Sequence, residues 1–134
     1  MRICFLSWRD GLHPEAGGAE LFLEQICRAL ARRGHEVTIV TSSEAATTAP
    51  PDEEITRVRR GGRLTVFGRG WWHVLTHRRR YDVVVEVMNG VSFASRLARP
   101  RARLMVFHHS HQRQWTMVYP DWRGRLGQRL ERVW

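Results

Sequence analysis

MRICFLSWRDGLHPEAGGAELFLEQICRALARRGHEVTIVTS, residues 1–42, decides the fold. Ile3 to Ser7 is a short apolar run of the kind found in strands buried on both faces. From Gly18 the spacing becomes helical. Leu21, Phe22, Gln25, Ile26, Ala29 and Leu30 fall near one face, with Glu24, Arg28 and Arg32 opposite, and Gly34 fits a C-cap. Glu36-Val37-Thr38-Ile39-Val40-Thr41 then reads as a second strand. Strand, helix and strand in this order make a βαβ unit, whose right-handed crossover implies a parallel sheet.

The rest of the 134 residues extends the same alternation. Ser42 to Glu54 is polar, carries Pro50-Pro51 and reads as a loop. Ile55 to Arg59 fits a short third strand, and Gly61-Gly62 a turn. Phe67, Trp71, Val74 and Leu75 share a helical stripe that ends at Arg78-Arg79-Arg80, where cations suit a helix C-terminus. Asp82 to Val87 is a fourth strand, Ser92 to Arg99 a short helix closed by Pro100, and Leu104 to Phe107 a fifth strand. A last helix begins near Asp121, with Leu126, Leu130, Val133 and Trp134 on one stripe. The expectation is one Rossmann-like α/β domain over residues 1–134, a parallel sheet flanked by helices. The last helix is uncapped and still amphipathic at Trp134, so the domain is expected to be incomplete at its carboxyl end.

Composition narrows the partners. The net charge is +9, and all 22 basic residues are Arg, with no Lys. Such a surface favours anions: phosphates, an acidic membrane face or nucleic acid. No DNA- or RNA-recognition pattern accompanies the charge, so no specific nucleic acid is expected. Cys4 and Cys27 lack CxxC spacing and read as buried free thiols. No secretory leader is expected, and no apolar run approaches the ~18 residues of a membrane span. The expected location is cytoplasmic, with peripheral contact at the inner membrane face as a further expectation.

In open parallel sheets, ligands collect at the carboxyl ends of the strands. Three segments fall there: the loop after the first strand up to Gly18, Met88-Asn89-Gly90, and His108-His109-Ser110-His111. Gly17-Gly18 opens a helix, where unpaired backbone N–H groups and the helix dipole attract an anion; the same pair also serves as a plain tight turn. It is not the GxGxxG of dinucleotide folds, since some ten residues separate it from the strand. That spacing argues against an NAD-dependent oxidoreductase, for which Glu44 is the sole candidate ribose acid. No carboxylate stands near His108, His109 and His111 in sequence to complete a site, which argues against a metal. A His at a strand end can donate to a substrate hydroxyl or phosphate oxygen, or can be an ordinary loop residue. Glu86, on a buried strand, is either an internal counter-ion or a substrate contact. Trp71 and Trp72 among arginines suit either an anionic membrane or a core stripe with a basic outer face.

Three stretches together resemble the amino-terminal half of family 4 glycosyltransferases, which have the two-domain GT-B fold. They are residues 1–42 with their Gly-Gly-Ala-Glu and Arg-Arg-Gly-His, YDVVVEVMNGVSF (81–93), and RLMVFHHSHQRQWTMVYP (103–120). The resemblance implies a retaining, metal-free transfer from a nucleotide sugar as co-substrate, without a further cofactor, to a sugar, lipid or small-molecule acceptor. It implies an acceptor-binding role for this half. Gly17 and Gly18, with Glu20 of the same motif, would lie against the donor diphosphate and acceptor. His108 would line the cleft beside the reacting sugar as the catalytic position, with Glu86, Asn89, His109 and His111 as weaker carry-overs. The family's donor-binding domain lies outside these residues, so the 134-residue chain alone is expected to be inactive. The competing reading is a non-catalytic basic module that docks on an anionic surface or nucleic acid.

Overall fold

The computed structural model describes residues 1–44, 54–88, 91–107, 115–117 and 119–133. Five strands form one all-parallel sheet: β1 (Arg2–Leu6), β2 (Glu36–Thr41), β3 (Ile55–Arg59), β4 (Val83–Met88) and β5 (Arg103–Phe107). Their order is β3-β2-β1-β4-β5. The chain first winds outward through β2 and β3, then returns to the other side of β1 for β4 and β5. This is the Rossmann-like α/β arrangement the βαβ pattern predicts, and it puts a reversal of strand order between β1 and β4. Phe5 stands opposite Ile39 on one side and Val85 on the other, in the middle of the sheet.

Alternation along β1 divides the core. Ile3 and Phe5 pack with Leu23 and Cys27 of helix α1 (Gly18–Arg32), while Cys4 and Leu6 pack with Val66 and Val74 of helix α2 (Thr65–His77). The two helices therefore cover opposite faces, and each such buried aliphatic side chain contributes roughly 1.5–3 kcal/mol. Both cysteines are free and buried, and burial pushes each thiol up to about 12. Gly34 has φ +82° and follows α1. Its N–H donates to Ala31 O, and His35 N–H donates to Leu30 O, the paired bonds of a Schellman cap.

Three expectations need correction. The inward stripe of α1 is Leu23, Cys27, Leu30 and Ala31, whereas Leu21, Phe22 and Ile26 are on the outside. Apolar residues run most of the way round this helix, so periodicity alone left its rotation open; the contacts of Glu20 and Glu24 fix it. The expected helix from Ser92 is shortened to a 3₁₀ turn, Ser95–Ala98. Ser92 and Phe93 give their donors to the Glu86 carboxylate instead of a helical ladder, and Ala94 adopts φ 54°. In helix α3 (Trp122–Val133), Leu126 is exposed, and Gly124 and Gly127 face Trp115 and Tyr119. Small residues let the preceding turn pack closely there, which an apolar-stripe reading passes over. Among the described residues no helix is long and apolar enough to cross a membrane.

Candidate active-site edge

The loop from β1 to α1, residues 7–17, lies at the carboxyl edge of the sheet and is tied down along its length. The Trp8 carbonyl accepts from Ser42 N–H at 3.2 Å and from the Thr41 hydroxyl at 3.4 Å. Asp10 is 1% exposed; it accepts from Leu12 N–H and faces Arg57 Nε at 3.4 Å and Arg59 Nη2 at 3.9 Å. Arg57 also pairs with Glu24, which in turn pairs with Arg28. This buried chain of charges joins the loop, α1 and β3.

A second set of contacts crosses to the neighbouring loops. His13 Nδ1 accepts from Glu15 N–H at 3.0 Å, so the proton sits on Nε2, which faces Glu44 Oε2 at 3.4 Å. The Arg63 backbone N–H, donating to Glu44 at 2.8 Å, is the main cause holding the Glu44 carboxyl below its usual range, with His13 next. The Trp8 ring takes the guanidinium of Arg9 at 4.3 Å and of Arg63 at 5.2 Å. The result is a preordered, cation-rich platform of backbone and ring surface.

The start of α1 stands beside it. Glu20 turns back and accepts from Gly17 N–H at 2.7 Å, half of a capping box, and Arg9 pairs with the same carboxylate at 3.1 Å. Glu20 is therefore buried and organises the turn. Among the described residues no partner is seen for Gly18 N–H or Ala19 N–H, and a Cβ built on Gly18 meets nothing within 4 Å. Gly17 sits at φ −118°, an extended backbone that any residue adopts. Neither glycine is demanded by the backbone, so what they supply is open access to two free amides at the positive end of a helix.

Glu86 points from β4 toward α2 and is fully buried. Its Oε1 accepts from the Ser92 hydroxyl at 2.5 Å and from Phe93 N–H at 2.6 Å; its Oε2 accepts from the Ser95 N–H at 3.3 Å and from the Ser95 hydroxyl. Both oxygens are engaged by their own chain. The carboxylate shapes the segment that follows β4 from beneath, as an internal acceptor.

A family described as glycosyl transferase 4-like domain matches residues 17–133. The chain belongs to this family. Among solved structures, the C-terminal domain of coenzyme A biosynthesis bifunctional protein CoaBC is similar at 20% identity and a TM-score of 0.43. The similarity covers 67% of this chain, which spans 45% of that one. No curated protein sequence matches.

In this glycosyl transferase 4-like domain, the structure brings Gly17, Gly18 and Glu20 to the carboxyl edge of the sheet and sets Glu86 inside β4. Asn89, His108, His109 and His111 lie outside the described residues. They follow β4 and β5 directly in sequence. Sequence reasoning missed Asp10, His13, Arg57 and Arg59. Arginines alternating on a short strand, Arg57 and Arg59, were the available signal, because two like charges on a buried face of a parallel sheet demand a carboxylate.

Proposed function

We propose that this domain is the acceptor-binding half of a retaining, metal-independent glycosyltransferase. It would take a hexosyl or related group from a nucleotide sugar, with a sugar, lipid or small molecule as acceptor, on the cytoplasmic side. The family match carries the reading, and the pair of free amides beside the Trp8 and Arg9 platform is where the donor phosphate would approach. His108 follows β5 in sequence and is the proposed group beside the reacting sugar, with Asn89, His109 and His111 as further contacts. Glu86 serves by holding the segment after β4. A helix terminus and one arginine supply too little charge stabilisation for a diphosphate leaving group, so transfer needs a second, donor-binding domain.

The test separates binding from folding. The 134-residue chain alone is expected to transfer no sugar from any nucleotide sugar, and to gain transfer with retention when joined to the donor half of a family 4 enzyme. In that chimera Gly18→Ala is expected to leave stability unchanged or raise it by up to ~1 kcal/mol, since the helix gains and nothing clashes. Transfer is expected to fall by about tenfold or more as the amides are screened. Full activity in Gly18→Ala, or transfer by the chain alone, overturns the reading.

Peripheral membrane contact is part of the same proposal. Trp71 packs against the core, but Trp72 is 58% and Leu64 85% exposed, beside Arg63 and Arg69. Trp72→Ala is expected to weaken binding to anionic vesicles, measured by sedimentation; unchanged binding removes membrane contact from the proposal.

A further inference from the structure

A cavity of about 310 Å³ opens between α2 and the turn after β3, lined by Arg60, Arg69, Trp72, His73, Thr76 and His77. It lies along the flank of α2, apart from the reversal point between β1 and β4. Its size is at the small end of ligand cavities, roughly 300–1,000 Å³. Its charge is one-sided. Arg60 and Arg69 have no carboxylate partner among the described residues, where most acidic side chains are paired with other arginines.

His73 supplies the second observation. It is only 6% exposed, its Nε2 lies 2.9 Å from the Tyr81 hydroxyl, and its Nδ1 is buried with no hydrogen-bond partner. Native proteins seldom leave such an atom unmatched unless something else fills the role. The His77 ring stacks on His73 at 4.4 Å, and its Nδ1 lies 2.9 Å from the His73 carbonyl. Burial is the main cause holding His73 down at about 4; His77, Arg60 and Arg80 add to it. The imidazole is therefore neutral at pH 7 and surrounded by cations, with Tyr81 on its far side and Cys4 behind Tyr81. An anion in the cavity would meet that positive potential.

We propose that this cavity binds a phosphate dianion or the phosphate of a monoester, gripped by Arg60 and Arg69 and completed by His73 and His77. Two guanidinium groups match a doubly charged phosphate better than a single carboxylate. The exposed Trp72 ring at the rim offers an apolar face to whatever group carries the phosphate. The site stands independently of the glycosyl-transfer reading.

The experiment follows the imidazole signals of ¹⁵N-histidine-labelled 134-residue protein during titration with inorganic phosphate at constant ionic strength. Saturable shifts of His73 and His77 are expected, together with a His73 pKa raised above about 4. Arg60→Ala with Arg69→Ala is expected to weaken binding by at least about tenfold for each arginine, with an otherwise unchanged amide spectrum. The control pair, Arg96→Ala with Arg99→Ala, removes the same charge from a more open pocket at the other sheet edge and should leave phosphate binding to the Arg60/Arg69 cavity intact. Absence of saturation, or equal weakening by both pairs, overturns the proposal. Vesicles of phosphatidylcholine with and without phosphatidic acid identify the source. Binding to phosphatidic acid that is lost in the Arg60/Arg69 variant assigns a lipid headgroup, and loss of soluble phosphate binding alone assigns a free phosphate monoester.

Discussion

Glu86→Ala is expected to destabilise the domain by about 3–5 kcal/mol, a large share of the roughly 5–15 kcal/mol that holds such a domain folded. The carboxylate receives two hydroxyl and two backbone donors from Ser92, Phe93 and Ser95, and Glu86, Phe93 and Ser95 are all buried. Alanine leaves those donors without an acceptor and opens a cavity beneath them, and both effects act in the same direction. Glu86→Gln separates the two contributions. The amide oxygen still serves one pair of donors, but the NH₂ group faces the donors of the other pair, so an intermediate loss of about 2 kcal/mol is expected. Urea unfolding checks both values. A loss below about 1 kcal/mol for Glu86→Ala would mean that water or a rearranged 91–95 segment replaces the carboxylate. The functional consequence follows from position: these donors set the path of the chain just after β4, at the ligand-binding edge of the sheet. Ala94, held at φ 54° with its N–H on the Ser92 hydroxyl, is part of the same local design.

The elements themselves were legible because parallel strands and their covering helices leave strong marks. EVTIVT is β-branched at five of its six positions and VVVEVM is apolar at five of six, and Gly34 and Gly61 stand where positive φ requires them. The strand order was implied only as far as a parallel sheet, since crossover direction at β4 leaves no trace in local sequence. The rotation of α1 was not legible. Leu21, Phe22 and Ile26 are as apolar as Leu23 and Cys27, and the choice between the two faces is made by Glu20 and Glu24. The pairs Arg9–Glu20 and Arg57–Glu24 join residues 11 and 33 positions apart in the chain. The same limit applied to the site. Gly17-Gly18 was visible as a motif, but that Glu20 already occupies the Gly17 amide depends on a side-chain rotamer that spacing cannot specify. Glu86 presented two readings in sequence, and geometry separates them, because the acceptors are filled by hydroxyls six and nine residues on.

The charges beneath the β1–α1 loop should show strong coupling. Arg57 has a side chain 9% exposed and lies between the carboxylates of Asp10 and Glu24. Arg57→Met is expected to cost about 3–5 kcal/mol, because it removes the buried cation and leaves the buried Asp10 with only the partly exposed Arg59 at 3.9 Å. Asp10→Ala should cost less, about 2–3 kcal/mol, since Arg57 keeps Glu24 as a partner while Arg59 is partly exposed and can turn to water. In the double variant Asp10→Ala/Arg57→Met, Glu24 retains Arg28 at 3.0 Å and the lone buried acid disappears. The combined loss should therefore fall short of the sum by at least about 1 kcal/mol. Strict additivity in a double-mutant cycle would show that the ion pairs merely coexist and that the loop is positioned by its backbone bonds to Ser42 and Thr41. Hydrogen exchange distinguishes these mechanisms. If the charges position the loop, the Leu12 N–H, which donates to Asp10, and the Ser42 N–H, which donates to Trp8, lose protection together in either single variant. The free amides of Gly18 and Ala19 would then lose the fixed platform beside them, so a charge pair with no contact to substrate would govern how well the edge is preorganised.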